Sequence, residues 1–212
     1  MMMTKPFNRR HFLLTTSVLL AATACGGKKA GTRIASGSTV LALGDSLTAG
    51  YGAGKGEDYP TQLAQITGWK IINGGVSGNT SAQALERLPD LLQQNPKLVL
   101  VSIGGNDFLQ KKSESETIAN ISRIIETVQA AKIPVVLVAI PYFTAGALLG
   151  SVSEHPLYDD LAKKFDVPLL KGAWADVLGD KDMKSDAVHG NGKGYRYFAE
   201  EMADFLKKQG FR

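Results

Sequence analysis

A single cysteine, Cys25, in 212 residues excludes an intramolecular disulfide, so the fold has to be held by a packed core. Only three histidines are present, His11, His155 and His189, and no spacing of His and Cys matches a zinc site; neither a metal nor another cofactor is expected. No uncharged apolar stretch reaches the roughly 20 residues of a membrane-spanning helix. Gly44 to Gly56 is glycine-rich but lacks the Gly-Lys-Ser/Thr ending of a phosphate-binding loop, which removes the support for a nucleotide site. No basic cluster is interleaved with aromatics, so a nucleic-acid partner is not expected either.

What is present begins at the N-terminus. Lys5, Arg9 and Arg10 precede an uncharged run from Phe12 to Ala24 that Thr15, Thr16 and Ser17 interrupt, the layout of a signal peptide over residues 1–24. Cys25 follows Ala22-Thr23-Ala24 and precedes Gly26-Gly27, which resembles a bacterial lipobox, with Ala22 where Leu is more usual. That resemblance implies a lipidated Cys25 as first mature residue and a membrane-anchored protein of the cell envelope or periplasm; ordinary cleavage after Ala24 is the alternative. Asn8 to Leu14 also resembles a twin-arginine export signal, leaving the export route open. Three of the 24 Lys/Arg and none of the 20 Asp/Glu lie in residues 1–24, so the remainder carries 21 against 20 and the basic excess belongs mostly to the signal.

Residues 25–38, rich in Gly, Ser, Lys and Thr, read as a lipidated N-terminus and flexible tether, and 39–212 as one domain. There, short apolar runs alternate with helical patterns. Val40–Leu43, Lys70–Ile72, Leu98–Ile103, Val135–Ile140 and Val167–Leu170 are strand candidates, most of them continuous runs suited to burial on both faces. Asp58-Tyr59-Pro60 opens a helix that Gly68 closes, and Thr80 or Ser81 opens another ending before Pro96. Glu114–Lys132 sets Ile118, Ile121, Ile124, Ile125 and Val128 on one face, and Gly194–Lys208 repeats the pattern with Tyr197, Phe198, Met202, Phe205 and Leu206. The alternation predicts a three-layer α/β/α sandwich around a central parallel sheet of about five strands, with the site at the strand C-termini; a monomer is expected.

The residues that can carry chemistry are few. Gly44-Asp45-Ser46-Leu47 follows the first strand, where a serine beside glycine can be presented on a tight turn. With His11 inside the signal, a catalytic base has to be His155 or His189. His189 has Asp186 three residues earlier, a spacing that in a turn brings a carboxylate onto Nδ1–H and leaves Nε2 for a serine hydroxyl. His155, between Glu154 and Pro156, reads instead as a surface residue capping a helix start.

Gly44-Asp45-Ser46-Leu47, Asn73 to Thr80 (Asn-Gly-Gly-Val-Ser-Gly-Asn-Thr), Gly104-Gly105-Asn106-Asp107 and Asp186-Ala187-Val188-His189 together resemble the four sequence blocks of the GDSL/SGNH hydrolases, in order and across most of the chain. Within that family the chain is similar to the small bacterial acyl-thioesterases, lysophospholipases and arylesterases. It implies Ser46, Asp186 and His189 as catalytic triad and Ser46, Gly78 and Asn106 as oxyanion hole, acting on a small-molecule ester or lipid. Members often have Pro after the catalytic His, where this chain has Gly190, which leaves that turn less rigid. Cleavage of carboxylic esters or thioesters of acyl or aryl groups is the leading expectation. Deacetylation of an envelope polysaccharide is a second, and a non-enzymatic lipid-binding lipoprotein a third. The segment after Ile140, with Tyr142, Phe143, Leu148 and Leu149, offers apolar surface rather than sugar-binding carboxylates, and these four are expected to bind the acyl chain.

Overall fold

The computed structural model describes residues 32–142 and 153–212. The signal segment, Cys25, Phe143, Leu148 and Leu149 lie outside the described residues. Strands β1 (Thr39–Gly44), β2 (Lys70–Gly75), β3 (Val99–Ser102), β4 (Val135–Val138) and β5 (Leu169–Leu170) form one parallel sheet in the order β2-β1-β3-β4-β5. Its centre is dry on both sides: Val40 to Leu43 and Val99 to Val101 are all fully buried. That double burial is why these stretches read as unbroken apolar runs rather than alternating ones.

Eight helices accompany the strands among the described residues: α1 (Ser46–Ala49), α2 (Tyr59–Thr67), α3 (Ser81–Leu92), α4 (Gly105–Leu109), α5 (Glu114–Ala130), α6 (Leu157–Phe165), α7 (Ala173–Gly179) and α8 (Gly192–Lys208). Helices α2, α7 and α8 pack together, as do α3, α5 and α6, which gives one layer on each side of the sheet, as right-handed crossovers require. The local stop and start signals are those expected. Asp58 caps α2 by accepting from Thr61 N–H at 2.9 Å, and Gly68 ends it in the left-handed region at φ +73°. Thr80 and Gln83 form a capping box at the start of α3.

Two features depart from the sequence reading. Ile34 is already docked inside the stretch read as tether: its N–H donates to Phe211 O at 2.8 Å and its carbonyl accepts from Trp69 Nε1 at 3.3 Å, which joins the domain's two chain ends. His155 is buried, not a surface cap. It does accept the first N–H of α6, from Leu157 at 3.2 Å, but its ring stacks on Phe108 at 4.6 Å and meets Tyr142 edge-on at 4.6 Å.

The sheet order reverses direction at β1, because the chain passes from β1 outward to β2 and then back across to β3. The loops after β1 and β3 therefore diverge and leave a crevice above the strand C-termini. Beneath it an aromatic cluster closes the core. Trp174 of α7 stacks on Phe198 at 3.8 Å, lies edge-on to Tyr59 and Tyr195, and donates its Nε1–H to Ser102 Oγ at the end of β3 at 3.1 Å.

Candidate active site

Ser46 stands at the first position of α1, immediately beyond β1. The turn demands glycine at position 44 for a reason of space: a Cβ there would lie 2.6 Å from Ser102 O and against the Thr48 side chain. Asp45, which is buried, accepts from Leu47 N–H at 3.0 Å and so caps the short helix that presents the serine. Burial pushes the Asp45 carboxyl up to about 7; the Leu47 N–H and the Arg87 charge oppose that shift, while the negative charge of Asp107 adds to it.

The turn that carries Asp186 and His189 reaches Ser46 from the opposite end of the sequence. His189 Nε2 lies 3.0 Å from Ser46 Oγ, and His189 Nδ1 lies 2.8 and 2.9 Å from the two oxygens of Asp186. With a carboxylate on Nδ1, the proton resides there and Nε2 is left as acceptor for the serine hydroxyl. Asp186 is itself held by Val188 and His189 N–H groups, both at 2.9 Å. Desolvation acts to raise its pKa, yet those N–H groups and the His189 ring outweigh it and hold the carboxyl below its ordinary value. The turn is locked despite Gly190 in place of Pro. Lys184 and Gly190 form an antiparallel bridge, Ser185 N–H donates to His189 O at 3.0 Å, and Ser185 Oγ donates to Gly190 O at 3.1 Å.

Gly78 and Asn106 face the same space from two further loops. Gly78 sits at φ +83°, a conformation open to glycine, which turns the loop after β2 over the serine. Asn106 is the second residue of α4, and one hydrogen of its amide is given to Asn79 O at 3.0 Å, which fixes the orientation of the other. Asp107, buried next to it, accepts from Ser81 N–H at 2.8 Å and Ser81 Oγ at 2.5 Å, tying α4 to the start of α3. A cleft of ≈ 230 Å³ is lined by Ser46, His189, Gly78 and Asn106 together with Tyr51, Leu109 and Val188.

Sequence reasoning thus named the groups that meet here, and it missed the ones that hold them. Tyr51 lies under His189 with ring centroids 4.4 Å apart, and its carbonyl is pinned by Tyr195 OH at 2.7 Å. Its position just after the serine block is the one hint the sequence carries. Leu109 was missed because a five-residue helix shows no periodicity. Tyr142 does not line the cleft; it packs edge-on to Phe108, one residue from Leu109, with centroids 5.5 Å apart. Its N–H donates to Ser153 O at 2.7 Å, and Pro141 bridges Glu154, so the chain on either side of residues 143–152 is joined at its base. Among the described residues no group of three or more His, Cys, Asp or Glu could hold a metal ion, and no helix is long and apolar enough to cross a membrane.

A serine, an imidazole and a carboxylate joined in that order at the C-terminal edge of a parallel sheet, with amide donors across the cleft, define a hydrolase of the serine-nucleophile kind. The chain belongs to the GDSL-like lipase/acylhydrolase family, whose profile matches residues 42–197. It is 36% identical to the thioesterase 1/protease 1/lysophospholipase L1 of Escherichia coli, over 82% of this chain and 86% of that protein. It is 30% identical to an arylesterase of Vibrio mimicus, over 80% of this chain and 88% of that one. Among solved structures, the psychrotrophic esterase EstA of a Pseudoalteromonas species superposes with a TM-score of 0.70 at 28% identity, covering 81% of this chain and 97% of that one. The SGNH-hydrolase family esterase AlinE4 does so with a TM-score of 0.62 at 32% identity, covering 82% and 97%. The protein is an ester hydrolase of this family.

Proposed function

We propose that this enzyme cleaves carboxylic esters or thioesters of acyl chains through an acyl-enzyme on Ser46, and that it works from the cell envelope through a lipidated Cys25. The observation that carries the chemistry is the 3.0 Å contact between His189 Nε2 and Ser46 Oγ, with Asp186 on the other ring nitrogen. His189 takes the hydroxyl proton as Ser46 Oγ attacks the acyl carbon. The developing oxyanion is met by the Ser46 and Gly78 N–H groups and the remaining Asn106 amide hydrogen. Collapse breaks the ester or thioester bond, and the proton on His189 passes to the departing alcohol or thiol. Water, deprotonated by the same imidazole, then releases the acid.

The rim of the cleft favours an acyl chain over a polysaccharide. Four large apolar residues are conspicuously exposed among the described residues, Tyr51, Val76, Leu109 and Tyr142. Tyr51 and Leu109 line the cleft, Val76 leads into its Ser77-Gly78 wall, and Tyr142 packs beside Leu109's neighbour Phe108. Hydrolysis of a nitrophenyl-ester series of graded acyl length, alongside an acetylated glycan, tests the reading. Turnover of the glycan alone would overturn it in favour of a deacetylase. For the anchor, mass spectrometry of the mature protein should find Cys25 diacylated, and Cys25→Ser should lose sedimentation with membranes. A Cys25→Ser protein that still sediments would refute it.

A further inference from the structure

Arg87 takes no part in the chemistry above, yet it reaches the C-terminal parts of both β1 and β2 and the loop that follows β2. From the middle of α3, half-buried, its Nη2 donates to Gly44 O at 2.7 Å, its Nη1 to Gly74 O at 2.6 Å and its Nε to Asn79 Oδ1 at 2.8 Å. All three acceptors are neutral, so this is not an ion pair of the ordinary surface kind. Gly44 O ends the strand that leads into Asp45 and Ser46. Gly74 O lies one residue before the end of the neighbouring strand, and Asn79 follows Gly78 directly.

One planar cation therefore spans the serine turn and the Gly78 loop. It also acts one step further on, because Asn79, whose side-chain oxygen Arg87 holds, receives and orients the Asn106 amide with its main-chain carbonyl. Beyond the β1–β2 ladder, whose register pairs Gly44 with Gly75, the backbone adds Val76 N–H to Gly44 O at the longer distance of 3.2 Å, and the ladder itself stops short of Gly78. The three oxyanion donors come from three separate loops, and their mutual placement has to be kept to a fraction of an ångström if they are to meet one oxygen.

We propose that Arg87 is a positioning residue for the oxyanion hole, setting the Ser46 and Gly78 N–H groups against each other directly and orienting the Asn106 amide through Asn79. The inference rests on the hydrolase reading given above. A guanidinium suits the task because its rigid fork reaches three acceptors in fixed directions, which an ammonium on a flexible stem does not.

The test is steady-state hydrolysis of a short nitrophenyl ester by the full chain as wild type, Ser46→Ala, Arg87→Met, Arg87→Lys, Asn106→Ala and the Arg87→Met/Asn106→Ala double variant. Arg87→Met should lower kcat on the order of 10²-fold with KM changed by less than about threefold, the pattern of a lost transition-state interaction. Arg87→Lys should recover little of it, and in the Asn106→Ala background Arg87→Met should cost less than about tenfold, because the two act on one donor set. A folded Arg87→Met with kcat within about threefold of wild type, full recovery by lysine, or strictly multiplicative losses in the double variant each overturn the proposal. If Arg87→Met fails to fold, Asn79→Ala removes the relay alone and should lower kcat by roughly tenfold; an unchanged kcat again overturns it. Wild-type turnover by Ser46→Ala would instead sink the hydrolase reading itself, an outcome distinct from all of these.

Discussion

Asp45 offers a quantitative check on the energetics of the serine turn. Its carboxyl is buried and pushed from 3.8 to about 7, chiefly because the charged form is stripped of water. A carboxyl whose folded pKa is raised contributes stability that is fully present below its unfolded value and is lost as pH rises through the folded one. At about 1.4 kcal/mol for each unit of displacement, Asp45 should withdraw about 4 kcal/mol of stability from the native state between pH 4 and pH 8. Asp45→Asn removes the charge while keeping an oxygen for the Leu47 N–H, which Asp45 now accepts at 3.0 Å. The assay is urea unfolding of both proteins at half-unit pH steps, followed by Trp fluorescence, with the difference taken at each pH so that other titrating groups cancel. The variant should gain on the wild type progressively from pH 4 to pH 8, by about 4 kcal/mol in all. A difference that stays flat across that range would refute the claim that burial, rather than hydrogen bonding, governs Asp45.

Ser46→Ala and His189→Ala should each abolish ester turnover, and Asn106→Ala should reduce kcat by about 10²–10³, measured on a nitrophenyl ester; full activity in any of the three would remove that residue from the scheme. Asp186→Asn should lower kcat on the order of 10⁴, since an amide no longer dictates which His189 nitrogen carries the proton. Because the Asp186 carboxyl is held below its ordinary value, its stabilising contribution is present above about pH 4 and lost as pH falls through the depressed value, so this variant should also show a shallower acid transition than the wild type in a low-pH unfolding series. Leu109→Asp should depress kcat/KM for octanoyl esters at least about tenfold more than for acetyl esters, given about 0.8 kcal/mol for each methylene removed from water; equal losses would show that Leu109 does not face the chain.

Much of the architecture was legible because its signals are local. The buried strands declare themselves as unbroken apolar runs, α2 is bracketed by Asp58 and Gly68, and α3 opens on the Thr80 capping box, all of which depend on residues within a few positions of one another. The Asp186–His189 pairing belongs to the same class, since it is made inside one turn. Tertiary structure decided what depends on contacts between distant segments. The short helices α1, α4 and α7, of four, five and seven residues, are too brief to print a period and exist because their neighbours hold them. His155 looked like a surface cap because it stands between Glu154 and Pro156 at a helix start, and it is buried because Phe108 and Tyr142 arrive from elsewhere. The 3.0 Å approach of His189 to Ser46 spans 143 positions, and the grip of Arg87 on Gly44 spans 43. Residue types and spacing determine which groups are capable of the chemistry; only the crossing of the chain from β2 back over β1 to β3 brings them to one cleft, because distances between segments are set by the closing of the sheet and not by any preference written into the segments themselves.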